Sequence, residues 1–216
     1  MTELSKYIEH TLLKQDAKKE ELQKLYDEAK KYNFLGVCVN PVNVVDAAYA
    51  LKGTGVKVVT VVGFPLGASK SEVKAFETQK AVEDGADEID MVINVSKLKD
   101  KDFDFVKKDI EAVKKACSDK PLKVILETDL LEKDEIKKAC ELCVEAKADF
   151  VKTSTGFVKN GAGAKAEDVE LMAKTVKPHG LRVKASAGIR DKEKALAMIK
   201  AGADRLGTSS GAAIVS

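Results

Sequence analysis

Eight short runs rich in β-branched residues recur along this chain and alternate with longer charged segments. Within the charged segments the apolar residues fall at i, i+3 and i+4, which is the spacing of a helix that buries one face. Near-continuous apolar strands separated by helices indicate a parallel sheet covered on both faces. The predicted strands are 7–11, 36–39, 56–62, 88–93, 122–127, 149–152, 181–184 and 204–207, and the clearest predicted helices are 70–84, 101–117, 132–147 and 190–201.

The number of repeats decides between two α/β architectures. Eight units in 216 residues leave about 27 residues for each unit, which suits a compact (β/α)8 TIM barrel. A doubly wound sheet usually has fewer strands and a glycine-rich dinucleotide turn after the first, and the nearest candidate turn, 161–166, follows a loop. Two similar stretches, EDGADEID and KAGADRLG, support a repeated unit. We therefore predict an α/β fold, a single-domain TIM barrel over residues 1–216.

The composition narrows the function classes. The chain has 37 Lys and Arg against 35 Asp and Glu, and only three of the 37 are arginines, which argues against nucleic-acid binding. Two histidines argue against a histidine-rich catalytic zinc site. No apolar stretch is long enough to span a membrane, and the amino terminus lacks the apolar core of a signal peptide. Four cysteines then suggest free thiols in a reducing compartment, so we expect a cytoplasmic protein.

The positions of the 34 lysines sort them into groups. Most lysines fall on the polar faces of predicted helices, and only four lie within predicted strands. Active sites of TIM barrels form at the carboxyl ends of the strands. Lys57 and Lys123 stand near strand starts, on the face associated with stability, whereas Lys152 and Lys184 end strands six and seven. Strand alternation turns the last two side chains into the barrel.

Two lysines on adjacent strands would lower each other's pKa, because a nearby cation and burial both favour the neutral amine. A neutral lysine attacks carbonyl carbon and forms a Schiff base. Alternation also turns Glu88 and Asp90 into the barrel, with Asp90 nearer the mouth, and Glu127 ends strand five. A buried carboxylate beside the two lysines can hold one of them charged and relay protons through a water. The alternative is that these lysines and Asp90 only form ion pairs at the rim.

Loops of small residues follow three consecutive strands, and they span 153–156, 185–188 and 207–211. The loops after the last two strands of a TIM barrel commonly bind phosphate, helped by the start of a short helix. Ser209 and Ser210 are placed to hold an anion in this way, and the loop that begins at Thr153 adds donors. The alternative is an ordinary small-residue turn with a serine N-cap.

Three of the four cysteines are predicted to be structural. Cys140 and Cys143 form a C-x-x-C inside a helix, share its apolar face and have no second pair for zinc, so core packing is predicted. Cys117 ends a helix. Cys38 lies near the mouth of strand two and is a candidate for the pocket lining, while His10 is expected in the core or behind the site.

Eight stretches together resemble the deoxyribose-phosphate aldolase family, whose members are class I aldolases on a (β/α)8 barrel. FVKTSTGF (150–157) and VKASAGIR (183–190) carry most of the specificity. The other stretches are IEHTLL, VCVNP, VVGFPLG, DEIDMVIN, KVILET and RLGTSSG, so that the resemblance covers almost the whole chain.

The resemblance implies a lyase that reversibly cleaves 2-deoxy-D-ribose 5-phosphate to acetaldehyde and D-glyceraldehyde 3-phosphate in deoxyribonucleotide catabolism. It implies Lys152 as the Schiff-base lysine, Lys184 as the second lysine that favours its neutral form, and Asp90 as the carboxylate that relays protons. It implies no metal and no cofactor, and it allows a homodimer. The candidate substrate-binding residues, from the resemblance and the loops together, are Thr11, Cys38, Thr153, Gly156, Gly188, Gly207, Ser209 and Ser210.

Four features depart from the family pattern. Glu9 stands where the family usually has Asp, Asp129 stands where a glycine is common, and Ala187 replaces the first glycine of a pair in the phosphate loop. If position 187 needs a positive φ, alanine costs roughly 1 kcal/mol there, so phosphate affinity is expected to change. The chain also stops at Ser216, without the tail ending in Tyr that some members use, and proton transfer is expected to be slower or assisted differently.

Two other functions fit the same residues. One is a different phosphosugar barrel, either a Schiff-base aldolase with another donor or an isomerase that uses Asp90 and Glu127. The other is a catalytically silent barrel that only binds a sugar phosphate.

Overall fold

Eight parallel strands pair in chain order and close into a barrel, because the first strand also pairs with the last. The computed structural model describes residues 4–216, so the first three residues of the predicted domain lie outside the described part. The predicted (β/α)8 fold is confirmed, and each predicted strand is present with its ends displaced by at most two residues. The strands are β1 (Ile8–Leu12), β2 (Gly36–Val39), β3 (Lys57–Val62), β4 (Glu88–Val92), β5 (Leu122–Ile125), β6 (Phe150–Lys152), β7 (Arg182–Ser186) and β8 (Arg205–Thr208).

Helices surround the barrel and bury one face each. In the fifth helix Val106, Ile110 and Val113 are fully buried at helical spacing, and the Asp102 carboxylate caps its start by accepting the amide of Phe105 at 3.3 Å. Within residues 4–216, none of the helices combines the length and the apolar character needed to cross a membrane. The helices are α1 (Lys19–Lys31), α2 (Val44–Ala50), α3 (Ser71–Glu83), α4 (Val95–Lys99), α5 (Phe103–Ala116), α6 (Lys133–Glu145), α7 (Ala166–Val176), α8 (Lys192–Lys200) and α9 (Gly211–Val215).

Strand alternation separates an apolar layer outside the barrel from the polar groups inside it. On β4, Ile89 and Met91 join the apolar core between the strands and the helices, whereas Glu88 and Asp90 face the interior and contact Lys123. Val151 and Val183 belong to the same outer core, so the side chains that end β6 and β7 point inward. The predicted orientation of these strands is confirmed.

The cysteines are free thiols and all four are buried. Cys140 and Cys143 lie on the buried face of α6 beside Ile136 and Ala139, which confirms core packing for the C-x-x-C. Cys117 is buried at the end of α5. Across residues 4–216 there is no group of three or more His, Cys, Asp or Glu side chains arranged to hold a metal ion.

Candidate active site

A cavity of 660 Å³ opens at the carboxyl ends of the strands, where β1, β6, β7 and β8 lead into their loops. The three small-residue loops meet there, although they are separated by as many as 50 residues in the chain. Lys152 forms part of the cavity wall at its floor, and Phe157 and Arg190 line its rim. The predicted substrate-binding residues that line this cavity are Thr11, Gly156, Gly188, Gly207 and Ser209.

Three other predicted substrate-binding residues lie behind that lining. Cys38 is fully buried and packs below the mouth with Val59 and Val61. The Thr153 hydroxyl donates to the Ser186 carbonyl and accepts from its amide, both at 3.0 Å, which ties β6 to β7. The Ser210 amide donates to the Thr208 hydroxyl at 2.9 Å, immediately before α9. These contacts support the wall from outside the cavity.

Two lysine amines meet on one carboxylate oxygen at the cavity floor. Lys152 and Lys184 are register partners on β6 and β7, and their Nζ atoms lie 2.8 and 2.7 Å from Oδ2 of Asp90. The other oxygen, Oδ1, accepts from Nζ of Lys123 at 2.9 Å. The ion pairs that formed the alternative interpretation are therefore present. Only Lys152 reaches the cavity, because Asp90, Lys184 and Lys123 are completely buried beneath it.

Two further carboxylates complete this charged cluster. Glu9 on β1 accepts a hydrogen bond from Lys184, and its other oxygen lies 3.4 Å from Nζ of Lys123 and 3.7 Å from Nε of Arg205. Glu88 lies 2.6 Å from Nζ of Lys123. The interior of the barrel thus holds three lysines and three carboxylates, almost all of them shielded from water. Its members are Glu9, Glu88, Asp90, Lys123, Lys152 and Lys184, and we call them the interior cluster.

Lys184 and Asp90 stay charged despite their burial. Burial lowers the pKa of Lys184, but the attraction of Asp90 and Glu9 is stronger, so that this pKa lies above its ordinary value. Burial raises the pKa of Asp90, yet the attraction of Lys123, Lys152 and Lys184 holds it well below the usual range. The expectation that the two lysines lower each other's pKa is therefore wrong for Lys184. The carboxylates hold this amine charged, because their attraction outweighs the repulsion between the amines.

Lys123 is the interior residue that sequence reasoning left out of the candidate site. It stands near the start of β5, as predicted, but its long side chain reaches the interior cluster. Burial lowers the pKa of Lys123, and the attraction of Asp90 and Glu9 raises it above its ordinary value. The signal was available, because the outward-facing Leu122 and Val124 on either side turn Lys123 inward by the rule that placed Lys152.

The loop after β7 has an unusual backbone. Ala187 has φ = 70° and Gly188 has φ = 72°, so two consecutive residues occupy the left-handed region. Glycine adopts this conformation readily, whereas alanine pays roughly 1 kcal/mol for it. Position 187 therefore has the positive φ on which the expected change in phosphate affinity depends.

Glu127 is held away from the lysines by the loop after β6. Its carboxylate accepts hydrogen bonds from the Thr155 amide, at 3.0 Å, and from the Thr155 hydroxyl. Burial raises the pKa of Glu127, and those hydrogen bonds only partly offset the rise. Glu127 does not line the cavity, so the geometry offers no pair of opposed bases formed by Glu127 and Asp90.

Comparison with known proteins places this architecture among aldolases. Residues 5–216 match the family model described as DeoC/LacD family aldolase. The chain is 57% identical over 213 residues to the deoxyribose-phosphate aldolase of Finegoldia magna, with 99% of each chain covered. It is 58% identical over 212 residues to that of Brevibacillus brevis, with 98% of this chain and 95% of the relative covered. A solved structure of deoxyribose phosphate aldolase from Aeropyrum pernix, described as a unique tetramer, matches with a TM-score of 0.90 at 35% identity, covering 98% of this chain and 89% of that one.

Proposed function

This chain belongs to the DeoC/LacD family of aldolases, and from that premise we propose that it reversibly cleaves 2-deoxy-D-ribose 5-phosphate to acetaldehyde and D-glyceraldehyde 3-phosphate. The observation that carries the proposal is the convergence of Lys152 and Lys184 on one oxygen of Asp90 at the cavity floor. Of these two amines, Lys152 is the one that a carbonyl carbon in the cavity can reach, whereas Lys184 is buried beneath it. This asymmetry supports Lys152 as the Schiff-base lysine.

The charge balance of the interior allows Lys152 to be neutral. Without a proton on Lys152, the remaining buried or largely buried charges cancel, with three positive and three negative groups. Lys57, half-exposed and 3.7 Å from Glu88, adds further positive charge. A fixed cation beside an amine opposes its protonation. The positive groups are Lys123, Lys184 and Arg205, and the negative groups are Glu9, Glu88 and Asp90.

The proposed reaction begins when the neutral amine of Lys152 attacks C1 of the open-chain sugar; one proton is taken up, water leaves, and an iminium ion forms. Asp90, through a water, takes the proton from the C3 hydroxyl. The C2–C3 bond breaks, its electrons enter the iminium to give an enamine, and D-glyceraldehyde 3-phosphate departs. The proton held by Asp90 returns through the water to C2 and gives an iminium ion again, and one water hydrolyses this ion to release acetaldehyde, one proton and the neutral amine. Lys184 stays cationic throughout and orients Asp90.

The phosphate is proposed to lie against the loops that follow β6, β7 and β8. Gly156, Gly188 and Ser209 line that side of the cavity, where small residues let backbone amides approach an anion. Arg190 lines the same rim and adds a positive charge. Thr11 and Gly207 border the space between the phosphate end and Lys152. Cys38, Thr153 and Ser210 contribute from behind this wall.

Borohydride reduction in the presence of acetaldehyde tests the proposal. We expect a two-carbon adduct on Lys152, located by peptide mass analysis, and no adduct at that peptide in Lys152→Met. An intact protein without an adduct on any lysine would contradict the Schiff-base proposal. Cleavage of 2-deoxy-D-ribose 5-phosphate is then followed by the release of acetaldehyde. Exchange of substrate protons without C–C cleavage would point to the isomerase instead.

A homodimer is proposed from a group of exposed apolar side chains. Six of the nine exposed large hydrophobic side chains found in residues 4–216 lie on α2, on α3 or in the segments that lead into them. Exposed apolar side chains grouped in this way are typical of protein–protein interfaces. We call this surface the α2–α3 face, and it comprises Val42, Val45, Tyr49, Leu66, Val73 and Phe76.

Light scattering after gel filtration checks the homodimer. The expected result is a dimer for the unmodified chain and a monomer for the double variant Tyr49→Glu, Phe76→Glu, with Leu196→Glu on α8 as the matched control. A monomeric unmodified chain at micromolar concentration would refute the homodimer.

The proposed cytoplasmic location is supported by the four free thiols, and cell fractionation tests it.

A further inference from the structure

Asp129 lies outside the cavity lining but holds a loop that touches it. Its carboxylate accepts two backbone hydrogen bonds, from the Ala162 amide to Oδ1 at 3.1 Å and from the Gly163 amide to Oδ2 at 2.8 Å. The side chain of Asp129 is only 8% exposed, and its hydrogen bond to the Gly163 amide is partly buried. Charge-assisted hydrogen bonds of this kind are stronger than neutral ones. Asp129 therefore fixes the backbone of the loop that precedes α7.

The fixed backbone lies directly against the loop that follows β7. The Ala164 amide donates to the Ala187 carbonyl at 3.0 Å. A Cβ atom on Gly163 would lie 2.5 Å from the Ala187 carbonyl oxygen, and one on Gly188 would lie 2.7 Å from the Ala162 carbonyl oxygen. The two backbones are in contact without intervening side chains. A displacement of Ala162 and Gly163 must therefore move Ala187 and Gly188 as well.

The loop that is held in this way needs support. Ala187 has φ = 70°, a conformation that alanine persists in only when its surroundings impose it. Both Ala187 and Gly188 line the cavity at the proposed phosphate end. We infer that Asp129, acting through Ala162 and Gly163, is a positioning residue that holds Ala187 and Gly188 in the conformation that receives the substrate phosphate, an inference that rests on the function proposed above.

Charge alone predicts the opposite behaviour. Asp129 is an anion near a site proposed to bind an anion, so its removal would strengthen phosphate binding if Coulomb repulsion dominated. Nζ of Lys165 lies 4.0 Å from Oδ1 of Asp129, and its positive charge would be left without that partner. Positioning predicts weaker phosphate binding after the same change. The sign of the effect therefore separates the two explanations.

The test compares a phosphorylated with an unphosphorylated substrate. KM and kcat are measured for 2-deoxy-D-ribose 5-phosphate and for 2-deoxy-D-ribose with the unmodified chain, Asp129→Ala and Asp129→Asn. We expect KM for the phosphorylated sugar to rise about tenfold in Asp129→Ala, the size of one lost charge-assisted hydrogen bond. The rise should be smaller in Asp129→Asn, which keeps one acceptor oxygen. Neither kcat nor the KM for 2-deoxy-D-ribose should change by more than about twofold.

Asp119→Ala is the matched control. Asp119 is 84% exposed in the connection between α5 and β5, at the opposite end of the barrel, and its removal deletes the same charge. A KM for the phosphorylated sugar that stays constant or falls in the Asp129 variants would overturn the inference, as would an equal rise for both sugars. If Asp129→Ala does not fold, Asp129→Asn carries the comparison. An unmodified chain that fails to cleave 2-deoxy-D-ribose 5-phosphate would instead overturn the proposed function.

Discussion

The barrel interior has two parts of unequal size, which we call its halves. They share one backbone geometry but differ in the side chains that their strands direct inward. The half formed by β1 and β4–β8 carries the interior cluster, with Arg205 at its lower edge. The half formed by β2 and β3 is apolar, and Cys38, Val59 and Val61 pack there with Leu13. Apart from Lys57, which lies 3.7 Å from Glu88 at the start of β3, the apolar half offers no counter-charge, so the ions opposite must pair with one another. The reactive groups are thus concentrated on the side of the barrel interior that faces this apolar group.

Two equally buried groups show what this difference does to ionisation. Burial raises the pKa of the Cys38 thiol to about 11, and the nearby charges do not reverse the rise. Cys38 is therefore a neutral thiol at pH 7 and a poor nucleophile. Lys184 is just as buried, yet Asp90 and Glu9 raise its pKa and keep it charged. Burial alone neutralises a group, whereas burial beside a partner of opposite charge preserves its ionisation.

The largest expected effect comes from removing the lysine that lies deepest in the charged half. Lys123→Met removes the cation that lies within 3.4 Å of Glu9, Glu88 and Asp90 and leaves an excess of buried negative charge. We expect a loss of about 3–5 kcal/mol in the free energy of unfolding at pH 7. Urea denaturation measures it. Lys57→Met, at the same end of the barrel but half-exposed, is the control and should cost far less.

The pH dependence of that loss identifies its cause. The pKa values of Asp90 and Glu88 are lower in the folded chain than their ordinary 3.8 and 4.5, so their ionisation stabilises the fold above those values. This contribution disappears as the pH falls through the folded pKa values. The penalty of Lys123→Met should therefore shrink as the pH is lowered below about 4. A penalty that is constant with pH would mean that Lys123 acts by packing.

The next effect concerns reactivity within the charged half. Lys184→Leu removes the fixed cation beside Lys152, and a protonated amine cannot form the imine. We expect acetaldehyde trapping at neutral pH to fall by about a hundredfold and to recover partly at alkaline pH, where the proton is lost. The pH profile of borohydride trapping measures this. Normal trapping at pH 7 in a folded Lys184→Leu would show that Lys184 does not control the protonation of Lys152.

A smaller effect comes from the apolar half. Val59→Ala leaves a cavity opposite the interior cluster and should cost about 2 kcal/mol of unfolding free energy. Because the substitution removes only apolar atoms that pack with Cys38 and Val61, this cost should be the same at pH 4 and pH 7. Urea denaturation at both values checks it. A pH-dependent cost would mean that water had entered and reached the ions, which would weaken the contrast between the halves.

The smallest effect lies above both halves, in the loop after β7. Ala187→Gly relieves a positive φ and should raise the unfolding free energy by about 1 kcal/mol or less, because glycine also gains entropy in the unfolded chain. Thermal denaturation measures the gain. Ala185→Gly, in β7 two residues earlier, is the control and should destabilise the chain. A lower unfolding free energy in Ala187→Gly would show that packing of the Ala187 methyl group stabilises the fold.

Strand alternation allowed much of this site to be predicted, because the inward direction of a strand residue depends only on its neighbours along the chain. Lys152, Lys184 and Asp90 were placed inside the barrel in this way, and their contacts agree. Lys123 was left out of the candidate site because the height of its Cα atom does not fix the height of its amine. The raised pKa of Lys184 has two causes: Asp90, which strand alternation also turns into the barrel, and Glu9, which is 175 residues away in sequence. The contact with Glu9 follows from no local pattern.

The loops were less predictable, for a different physical reason. Small residues after β6, β7 and β8 indicated where an anion could bind, but their conformations are set by contacts between distant segments. Asp129 shows this, because its hydrogen bonds to Ala162 and Gly163 span more than 30 residues. The positive φ of Ala187 depends on the same contacts and contradicts the ordinary preference of alanine. Neither could be read from local sequence pattern.

The amines at the cavity floor belong to strands, whereas the proposed phosphate contacts belong to loops. A strand of a closed barrel is bonded on both sides, and a substitution there disturbs two neighbours at once. A loop residue is not paired with neighbouring strands in this way. Descendants of this chain can therefore inherit the imine chemistry unchanged while they diversify in the size and charge of the sugars they accept. In this barrel, substitutions that change substrate specificity and substitutions that change the reaction type therefore fall in different parts of the fold.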